Sequence, residues 1–282
     1  MPAYHLGLIG YPVSHSLSPK LHTAALHACG LQGNYSLFPI HPDDKQGLKD
    51  LLNHARAELQ GLNVTIPHKQ NVIEFLDELT PTAQAIGAVN TIFFRNNKLT
   101  GDNTDAPGFL SDLNQILSNC QSPIEKGKSA IVLGAGGSAR AVVYALLNDG
   151  WIVTIAARRI EQAQQLTSSF SNFQLPITSL ADLRLSTFGL LVNTTSLGMT
   201  PNINQSPLEN LSLPSNAFVY DLVYNPRETK LVKDARSQGL QATTGLGMLI
   251  EQAALSFEIW TGHSPSRELM RASLEQSPVS NL

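Results

Sequence analysis

The sequence predicts an α/β protein made of two domains with mainly parallel sheets. Its length of 282 residues suggests about two domains at ~150 residues each. Short apolar runs alternate with helical patterns along the chain, which is the order typical of a parallel sheet covered by helices. A glycine-rich turn at residues 134–137 opens a second series of this kind. We therefore place a first domain at 1–105, completed by 246–282, and a second at 106–245.

Composition narrows the classes of partner. Hydrophobic residues make up 42% of the chain and charged residues 15%, and the net charge is −3. These values exclude a disordered chain and argue against nucleic acid or an anionic membrane as a partner. Two cysteines, Cys29 and Cys120, are too few for a disulfide framework, and we interpret them as small, half-buried hydrophobic residues. We expect no metal site, because the eight histidines are scattered, and we interpret His22, His27 and His68 as packing or hydrogen-bonding residues.

The start of the chain lacks the charged and apolar segments of a signal peptide, and no run approaches the ~18 apolar residues of a membrane span. A cytoplasmic protein that binds a small molecule is the expectation. The oligomeric state is left open, with a homodimer as one option.

The first domain opens with an apolar run that predicts a strand at 4–10. A helix follows at 19–29, with Ser18 as N-cap and Pro19 in the first turn. Further strands are predicted at 35–40 and 62–66, and further helices at 44–57 and 70–79. The segments 88–94 and 98–100 predict a hairpin across Asn96 and Asn97.

The second domain begins with a helix at 105–117 and a polar connector at 118–128. Predicted strands then cover 130–133, 152–156, 190–193 and 218–222. Predicted helices cover 138–147, 161–169 and 229–238, and a last predicted helix at 246–260 returns to the first domain. Residues 201–216 are rich in proline, asparagine and serine, and this predicts an exposed loop.

The clearest local motif is the turn Gly134-Ala-Gly136-Gly-Ser-Ala139, which follows a strand and opens a helix. Gly134 permits a tight turn, Gly136 lets the backbone approach a pyrophosphate, and Ala139 keeps the helix close to the strand. The amino end of the helix then faces the anion. This context predicts a Rossmann-type dinucleotide-binding domain; the alternative is a plain glycine turn.

The end of the next strand distinguishes the two nicotinamide cofactors. An NAD site usually carries an acidic residue there, about 20 residues after the glycines. This chain has Arg158 and Arg159 instead, which favours the 2′-phosphate of NADP; the alternative is two solvated arginines. The segment from Asn193 to Met199 follows another strand, and either a ligand-facing edge or a plain turn explains it.

Three polar clusters lie at strand ends or helix starts of the first domain. The first contains Ser16 and Ser18, and helix capping is its alternative explanation. The second runs from Asn63 to Lys69, with an edge strand and an exposed lysine as the alternative. The third comprises 88–91 and 101–105, and its alternative is an Asx-turn followed by Asp105 as N-cap.

Together, five motifs resemble the shikimate dehydrogenase family over essentially the whole chain. They are Ser-x-Ser-Pro, Asn-Val-Thr-x-Pro-x-Lys, Gly-Asp-Asn-Thr-Asp, Gly-Ala-Gly-Gly-x-x-Arg and the segment Gly245–Gln252, in that order. The resemblance implies reversible, NADPH-dependent reduction of 3-dehydroshikimate to shikimate in chorismate and aromatic amino acid biosynthesis. It also implies a substrate domain, an NADP-binding domain and a cleft between them.

The resemblance also implies roles for individual residues. Lys69 and Asp105 match the catalytic pair. Residues that match substrate contacts are Ser16, Ser18, Asn63, Thr65, Asn90, Asp105, Tyr224 and Gln252. Residues that match the cofactor lining are Gly134, Ala135, Gly136, Gly137, Ser138, Ala157, Arg158, Arg159, Gln162, Leu222 and Gly245. The family often has Asn-Arg-Thr where this chain has Ala157-Arg158-Arg159, and a second family arginine is replaced by Gln162, for which Arg159 can substitute.

The chemistry of alcohol oxidation fits these residues. The cofactor takes the hydride, and the protein must orient the substrate and handle the proton. A lysine within hydrogen-bond reach of the hydroxyl can do so. Lys69 is therefore the candidate general acid and base, and Asp105 the group that orients lysine and substrate. The sequence leaves open whether Lys69 or the pair titrates.

Two alternative functions remain at this point. One is a quinate/shikimate dehydrogenase with relaxed cofactor use, which rates with both acids and both cofactors would distinguish. The other is a non-catalytic NADPH-binding sensor on the same fold, since a fold does not establish activity. A sensor has no need of both Lys69 and Asp105, so retention of the pair favours an enzyme.

Overall fold

The computed structural model of the chain describes residues 3–119, 128–180, 183, 188–208 and 213–275. Its contacts divide the chain into two compact units. The first unit contains Met1–Thr104 and Ile250–Leu282, and the second contains Asp105–Leu249. The two-domain α/β class with mainly parallel sheets is thereby confirmed.

The first unit is built on a six-stranded mixed sheet with the strand order β2-β1-β3-β5-β6-β4. The pairs β1/β2, β1/β3 and β4/β6 are parallel, and β3/β5 and β5/β6 are antiparallel. Its elements up to residue 104 are β1 Tyr4–Gly10, α1 Ser18–Ala28, β2 Gly33–Pro39, α2 Lys45–Glu58, β3 Gly61–Val64, α3 His68–Asn71, β4 Glu78–Leu79, α4 Pro81–Ile86, β5 Thr91–Arg95 and β6 Lys98–Asp102.

The second unit is built on a six-stranded sheet with the order β12-β11-β10-β7-β8-β9, in which every pair is parallel. Its elements are α5 Asp105–Asn119, β7 Ser129–Leu133, α6 Gly137–Asn148, β8 Ile152–Ala157, α7 Ile160–Ser168, β9 Ile177–Ser179, β10 Leu190–Asn193, β11 Phe218–Asp221, α8 Lys230–Ser237 and β12 Gln241–Thr244. The apolar runs of its central strands are buried on both faces, as a parallel sheet covered by helices requires.

The last two helices are α9 Leu246–Thr261 and α10 Arg267–Glu275. From Ile250 onward α9 belongs to the first unit. Its Trp260 indole donates a hydrogen bond to the backbone oxygen of Ile92 at 2.9 Å. A Cβ on Gly61 would overlap this indole, so the glycine lets α9 lie directly on strands β3 and β5. Among the described residues, no helix is both long enough and apolar enough to cross a membrane.

Several predicted elements need correction. The helix predicted at 70–79 is wrong: α3 is followed by a 3-10 turn at Val72–Phe75 and by β4. The chain is extended there because Asp77 bonds to Leu99, donating from its backbone to the backbone oxygen at 3.0 Å and accepting on its side chain at 2.7 Å. These long-range bonds outweigh a local apolar pattern.

The predicted N-cap of α1 is also wrong. Ser18 is the first helical residue, and Leu17 occupies the cap position. The side chain that satisfies a free amide here is Ser16, whose Oγ accepts from the Ser18 N–H at 3.2 Å. The patterns also missed α4, β9, β12 and α10. Cys120, most of the connector 118–128 and residues 209–212 of the predicted loop lie outside the described residues.

Two histidines that we interpreted as packing or hydrogen-bonding residues have that role, and one does not. His22 is fully buried and stacks on Tyr35, with ring centroids 4.4 Å apart. His68 is buried, and its Nε2 lies 2.7 Å from the backbone oxygen of Ile40. His27 is exposed on α1, so the packing interpretation is wrong for it.

We expect the burial of His22 to make stability depend on pH. Burial lowers the pKa of its imidazole to about 3 from 6.5. Between these values the unfolded chain binds a proton that the folded chain does not, so the free energy of unfolding falls as the pH drops below 6.5. The expected slope is about 1.4 kcal/mol per pH unit from this one group. Urea unfolding of the wild type and His22→Phe at pH 7 and pH 5 measures the difference.

The exposed His27 on the same helix supplies the control, because His27→Gln should leave the pH dependence unchanged. Parallel pH profiles for the wild type and His22→Phe would contradict the expectation.

Candidate active site

The loops of the first unit that carry the predicted substrate residues meet at one edge of its sheet. Strands β1 and β3 are parallel, so the loops that follow them leave at the same edge. Strand β5 runs the opposite way, so its first residue pairs with Asn63 near the end of β3. Backbone bonds join the loops: Tyr11 N–H donates to Ile66 O at 2.9 Å, and Val64 N–H donates to Asn90 O at 2.8 Å.

Three predicted substrate residues contact one another directly at this edge. The Asn63 Nδ2 donates to the Asn90 backbone oxygen at 3.1 Å. The Asn90 Nδ2 donates to Gln252 Oε1 at 3.2 Å, although 162 residues separate the two along the chain. All three side chains are buried, and Gln252 is the most accessible with 9% exposure.

Lys69 lies on α3, directly after the loop that follows β3, and its side chain is half-buried. Its backbone oxygen accepts from the Val89 N–H at 2.7 Å, which places it beside the segment that carries Asn90. Thr65 is half-buried in the same loop, and its backbone oxygen accepts from the His68 N–H at 2.9 Å. Because β3 lies between β1 and β5, the edge-strand explanation of this cluster is wrong.

The serine pair belongs to the loop that follows β1. Ser16 is half-buried and Ser18 is buried, and the bond from the Ser18 N–H to Ser16 Oγ holds the two together. Helix capping thus explains why the Ser16 hydroxyl accepts a hydrogen bond. It gives no role to the Ser18 hydroxyl.

Asp105 and Tyr224 belong to the second unit. Asp105 is the first residue of α5 and is 4% exposed. A carboxylate is favourable in the first turn of a helix, because the free backbone N–H groups there carry partial positive charge. Tyr224 is half-buried after β11, and burial raises the pKa of its phenol, so it is protonated at neutral pH.

The glycine turn of the second unit has the geometry that a close anion requires. Gly134 has φ +111°, and a Cβ there would lie 2.7 Å from Thr194 Oγ1. Gly136 precedes α6 with φ −86°, and no heavy atom lies within 4 Å of where its Cβ would be. Ala139 is completely buried against the sheet. The space beside Gly136 at the start of α6 is therefore open, which fits a pyrophosphate.

Two cations stand at the end of the neighbouring strand. Arg158 and Arg159 are exposed after β8, and Arg159 is the N-cap residue of α7. Within the described ranges, no ion pair joins either guanidinium to an acidic side chain. Ala157 is buried at the strand end, and Gln162 is half-buried in the first turn of α7. An unneutralised pair of arginines beside the glycine turn suits an additional phosphate.

The remaining predicted cofactor residues lie at the ends of β11 and β12. A Cβ on Gly245 would lie 2.3 Å from the Leu222 backbone oxygen, so these two backbones are in close contact. The end of β10 is tied to β11 by a buried pair, since Asn193 Nδ2 donates to Asp221 Oδ1 at 2.8 Å. Asn193 Oδ1 also accepts from the Thr195 N–H at 3.0 Å. The segment after Asn193 is therefore a turn fixed by that side chain.

Burial raises the pKa of Asp221 to about 6, although three hydrogen bonds favour its ionised form. These come from the Thr229 hydroxyl at 2.6 Å, the Val223 N–H at 3.1 Å and the Asn193 amide. The carboxyl group thus joins the ends of two strands to the start of α8. Sequence patterns gave no indication of this role.

Comparison with known proteins matches both units to one enzyme family. Residues 8–92 match the family model described as shikimate dehydrogenase substrate binding domain. Residues 117–238 match shikimate / quinate 5-dehydrogenase, and residues 245–275 match the shikimate 5′-dehydrogenase C-terminal domain. The NADP(+) shikimate dehydrogenase of Bacillus subtilis is 40% identical over 94% of both chains.

The chain belongs to the shikimate dehydrogenase family. Solved members of similar shape include the shikimate 5-dehydrogenase of Thermus thermophilus in complex with NADP(H) and shikimate, at 37% identity and a TM-score of 0.85, covering 97% of this chain and 99% of that one. The quinate dehydrogenase of Corynebacterium glutamicum, in complex with NAD, is 31% identical with a TM-score of 0.86, covering 98% and 99%.

The structure shows residues around the substrate cluster to which the sequence analysis gave no role. Tyr35, Thr91, Thr104 and Ser256 surround Asn63 and Asn90 with hydrogen bonds. Thr91 and Thr104 lie inside the third polar cluster but were given no role there. Ser256 follows Gln252 by four residues and so shares its helix face, whereas Tyr35 carried no signal.

Proposed function

We propose that the chain catalyses the reversible, NADPH-dependent reduction of 3-dehydroshikimate to shikimate. The observation that carries the proposal is the cluster of Asn63, Asn90 and Gln252 beside the Lys69 turn. Amides from three separate segments, gathered at one edge, suit a compact ligand with several hydroxyl groups. Full-length similarity to NADP(+) shikimate dehydrogenases supports the same substrate.

In this proposal the serine pair receives the carboxylate of the substrate. Ser16 and Ser18 lie in one loop at the same sheet edge as the amide cluster. Hydroxyl donors suit a carboxylate, and the ring hydroxyls are proposed to face Asn63, Thr65, Asn90 and Gln252. Tyr224 is proposed as a further substrate contact.

Lys69 is proposed as the general acid and base. When bound, NADP accepts a hydride from the carbon that bears the reacting hydroxyl, or returns it. Lys69 removes the hydroxyl proton in oxidation and returns it in reduction. Its backbone is fixed by the bond to Val89, so only the side chain needs to move. Asp105 orients the lysine and the substrate.

The second unit is proposed to bind NADP. The amides from Gly134 to Ser138 would hold the pyrophosphate, with Ala135 and Gly137 contributing backbone contacts. Arg158 and Arg159 would hold the 2′-phosphate, and Ala157 and Gln162 would flank them. Leu222 and Gly245 would line the nicotinamide side.

We expect Arg158→Ala to raise the KM for NADP+ about tenfold and to leave the KM for NAD+ unchanged. A charge-assisted hydrogen bond to phosphate is worth about 1.5–3 kcal/mol, and solvent screening at this exposed site reduces that figure. The wild-type preference for NADP+ should therefore shrink as ionic strength rises. Steady-state rates with both cofactors at low and high salt measure these changes.

The control is Arg271→Ala, which removes an exposed arginine of the first unit. An equal rise in KM for both cofactors on replacing Arg158 would show that it does not bind the 2′-phosphate.

A spectrophotometric assay of purified protein with shikimate and NADP+ tests the proposed function. NADPH formation is the expected result, and absence of NADPH with well-folded protein would overturn the proposal. Quinate and NAD+ serve as comparison substrates, because a family member of similar fold is a quinate dehydrogenase in complex with NAD. We expect kcat/KM to be highest for shikimate with NADP+.

Two further features belong to the proposal. A cytoplasmic location fits a biosynthetic enzyme, and a relative at 40% identity is an NADP(+) shikimate dehydrogenase. A homodimer stays a prediction, which sedimentation of the purified protein tests.

A further inference from the structure

Three buried hydroxyl groups of the first unit form a closed triangle. Thr91 Oγ1 lies 2.7 Å from Ser256 Oγ and 3.1 Å from Thr104 Oγ1, and Thr104 Oγ1 lies 3.0 Å from Ser256 Oγ. The three residues are at most 2% exposed. They come from the start of β5, the loop after β6 and the middle of α9. We refer to them as the hydroxyl triangle.

The hydroxyl triangle contacts both asparagines of the substrate cluster. Asn63 Nδ2 donates to Ser256 Oγ at 3.0 Å, and Asn90 Nδ2 donates to Thr104 Oγ1 at 2.9 Å. Thr91 Oγ1 donates to Asn90 Oδ1 at 3.0 Å. Ser256 Oγ also donates to the backbone oxygen of Gln252 at 2.9 Å. The triangle thus connects all three amide residues proposed to bind substrate.

Backbone groups fix which way each amide faces. The Asn90 carbonyl can only accept, so Asn63 must turn its Nδ2 toward it and its Oδ1 toward Tyr35, whose hydroxyl donates at 2.8 Å. The Thr104 N–H can only donate, so Asn90 must turn its Oδ1 toward it, at 2.7 Å. Asn90 then donates to Gln252 Oε1, which sets the third amide.

We propose that Thr91, Thr104 and Ser256 are positioning residues that hold Asn63, Asn90 and Gln252 in the orientation that recognises the substrate hydroxyls. The inference rests on the proposed function, because it assigns these amides to the substrate. A hydroxyl donates one hydrogen bond and can accept two, so each corner can accept from one group while it donates to another. A rigid, preorganised network binds better than one that must reorganise when the ligand arrives.

The test uses Thr91→Val and Ser256→Ala, which remove a hydroxyl with little change in shape. We expect the KM for shikimate to rise about tenfold in each, with the KM for NADP+ unchanged and kcat within about threefold. The double variant should raise KM by less than the product of the single effects, because both remove members of one network. Thr91→Ser keeps the hydroxyl and should therefore have the wild-type KM for shikimate.

Thr100 supplies a matched control. It is a buried threonine of the same sheet, 7% exposed, and its Oγ1 has no hydrogen-bond partner among the described residues. Thr100→Val should leave the KM for shikimate unchanged. Melting temperatures of all variants separate a general loss of stability from a change in recognition.

The possible outcomes distinguish a failure of the positioning role from a failure of the proposed function. Wild-type protein without turnover of shikimate overturns both. Wild-type turnover combined with an unchanged shikimate KM in Thr91→Val and Ser256→Ala overturns the positioning role alone. An equal rise in the KM for shikimate and the KM for NADP+ in these variants also overturns the positioning role. A rise in the KM for shikimate in Thr100→Val does the same.

Discussion

Lys69→Ala should lower kcat about 10²- to 10⁴-fold while the KM for shikimate stays within a few-fold of the wild type. This range is the typical contribution of a positioned general acid or base. A loss confined to kcat means that the side chain acts on the transition state, whereas lost binding would appear in KM. Lys69 is half-buried on α3, and its backbone is bonded to the segment that carries Asn90. Steady-state rates in both directions measure it.

Lys49→Ala is the matched control, because Lys49 is an exposed lysine of α2 in the same unit. It should leave kcat and both KM values unchanged. Near wild-type kcat in Lys69→Ala would exclude Lys69 as the proton-transfer group.

The predictability of the fold depended on how far each element relies on distant partners. The central strands of the second unit were predicted, because buried parallel strands are apolar runs such as Leu190–Asn193, whereas its edge strands β9 and β12 were missed. The segment 70–79 failed because Asp77 bonds to Leu99 across 22 residues. Helix α10 was missed because only Met270 and Leu274 are buried on it, too few for a clear apolar stripe.

The candidate site shows the same division. Its motif residues could be predicted because they lie at strand ends, where loops carry chemistry on a fixed frame. The residues that hydrogen-bond to these motif residues could not be predicted. Ser256 reaches Asn63 across 193 residues and Tyr35 reaches it across 28, and nothing local to either position indicates the contact with Asn63. Such contacts depend on where α9 lies, which local sequence does not specify.

Gly136 offers the sharpest separation of cofactor binding from folding. Its φ of −86° and ψ of −171° lie in the extended region, which a β-branched residue adopts readily. A Cβ there meets nothing within 4 Å apart from its neighbours along the chain, so a side chain at this position extends into open space. Loss of the glycine cap should cost about 1 kcal/mol or less. The valine methyl groups would instead occupy the space that the proposed pyrophosphate needs.

We therefore expect Gly136→Val to weaken NADPH binding by about 100-fold or more, since the backbone amides can no longer approach the phosphates. Wild-type protein should melt at a higher temperature when NADPH is added, because a ligand stabilises the state that binds it. The variant should lose that increase while keeping nearly its unliganded melting temperature. Gly136→Ala should show a smaller loss of affinity. NADPH fluorescence titration measures it directly.

Gly134→Ala gives the contrasting case at the same turn. Its φ of +111° is strained for any other residue, and the added Cβ would approach Thr194 Oγ1 to 2.7 Å. This variant should lose stability before any ligand is added. If Gly136→Val bound NADPH normally, the pyrophosphate would not lie on the amino end of α6. If it unfolded like Gly134→Ala, the open space beside Gly136 would have a structural role in the fold itself.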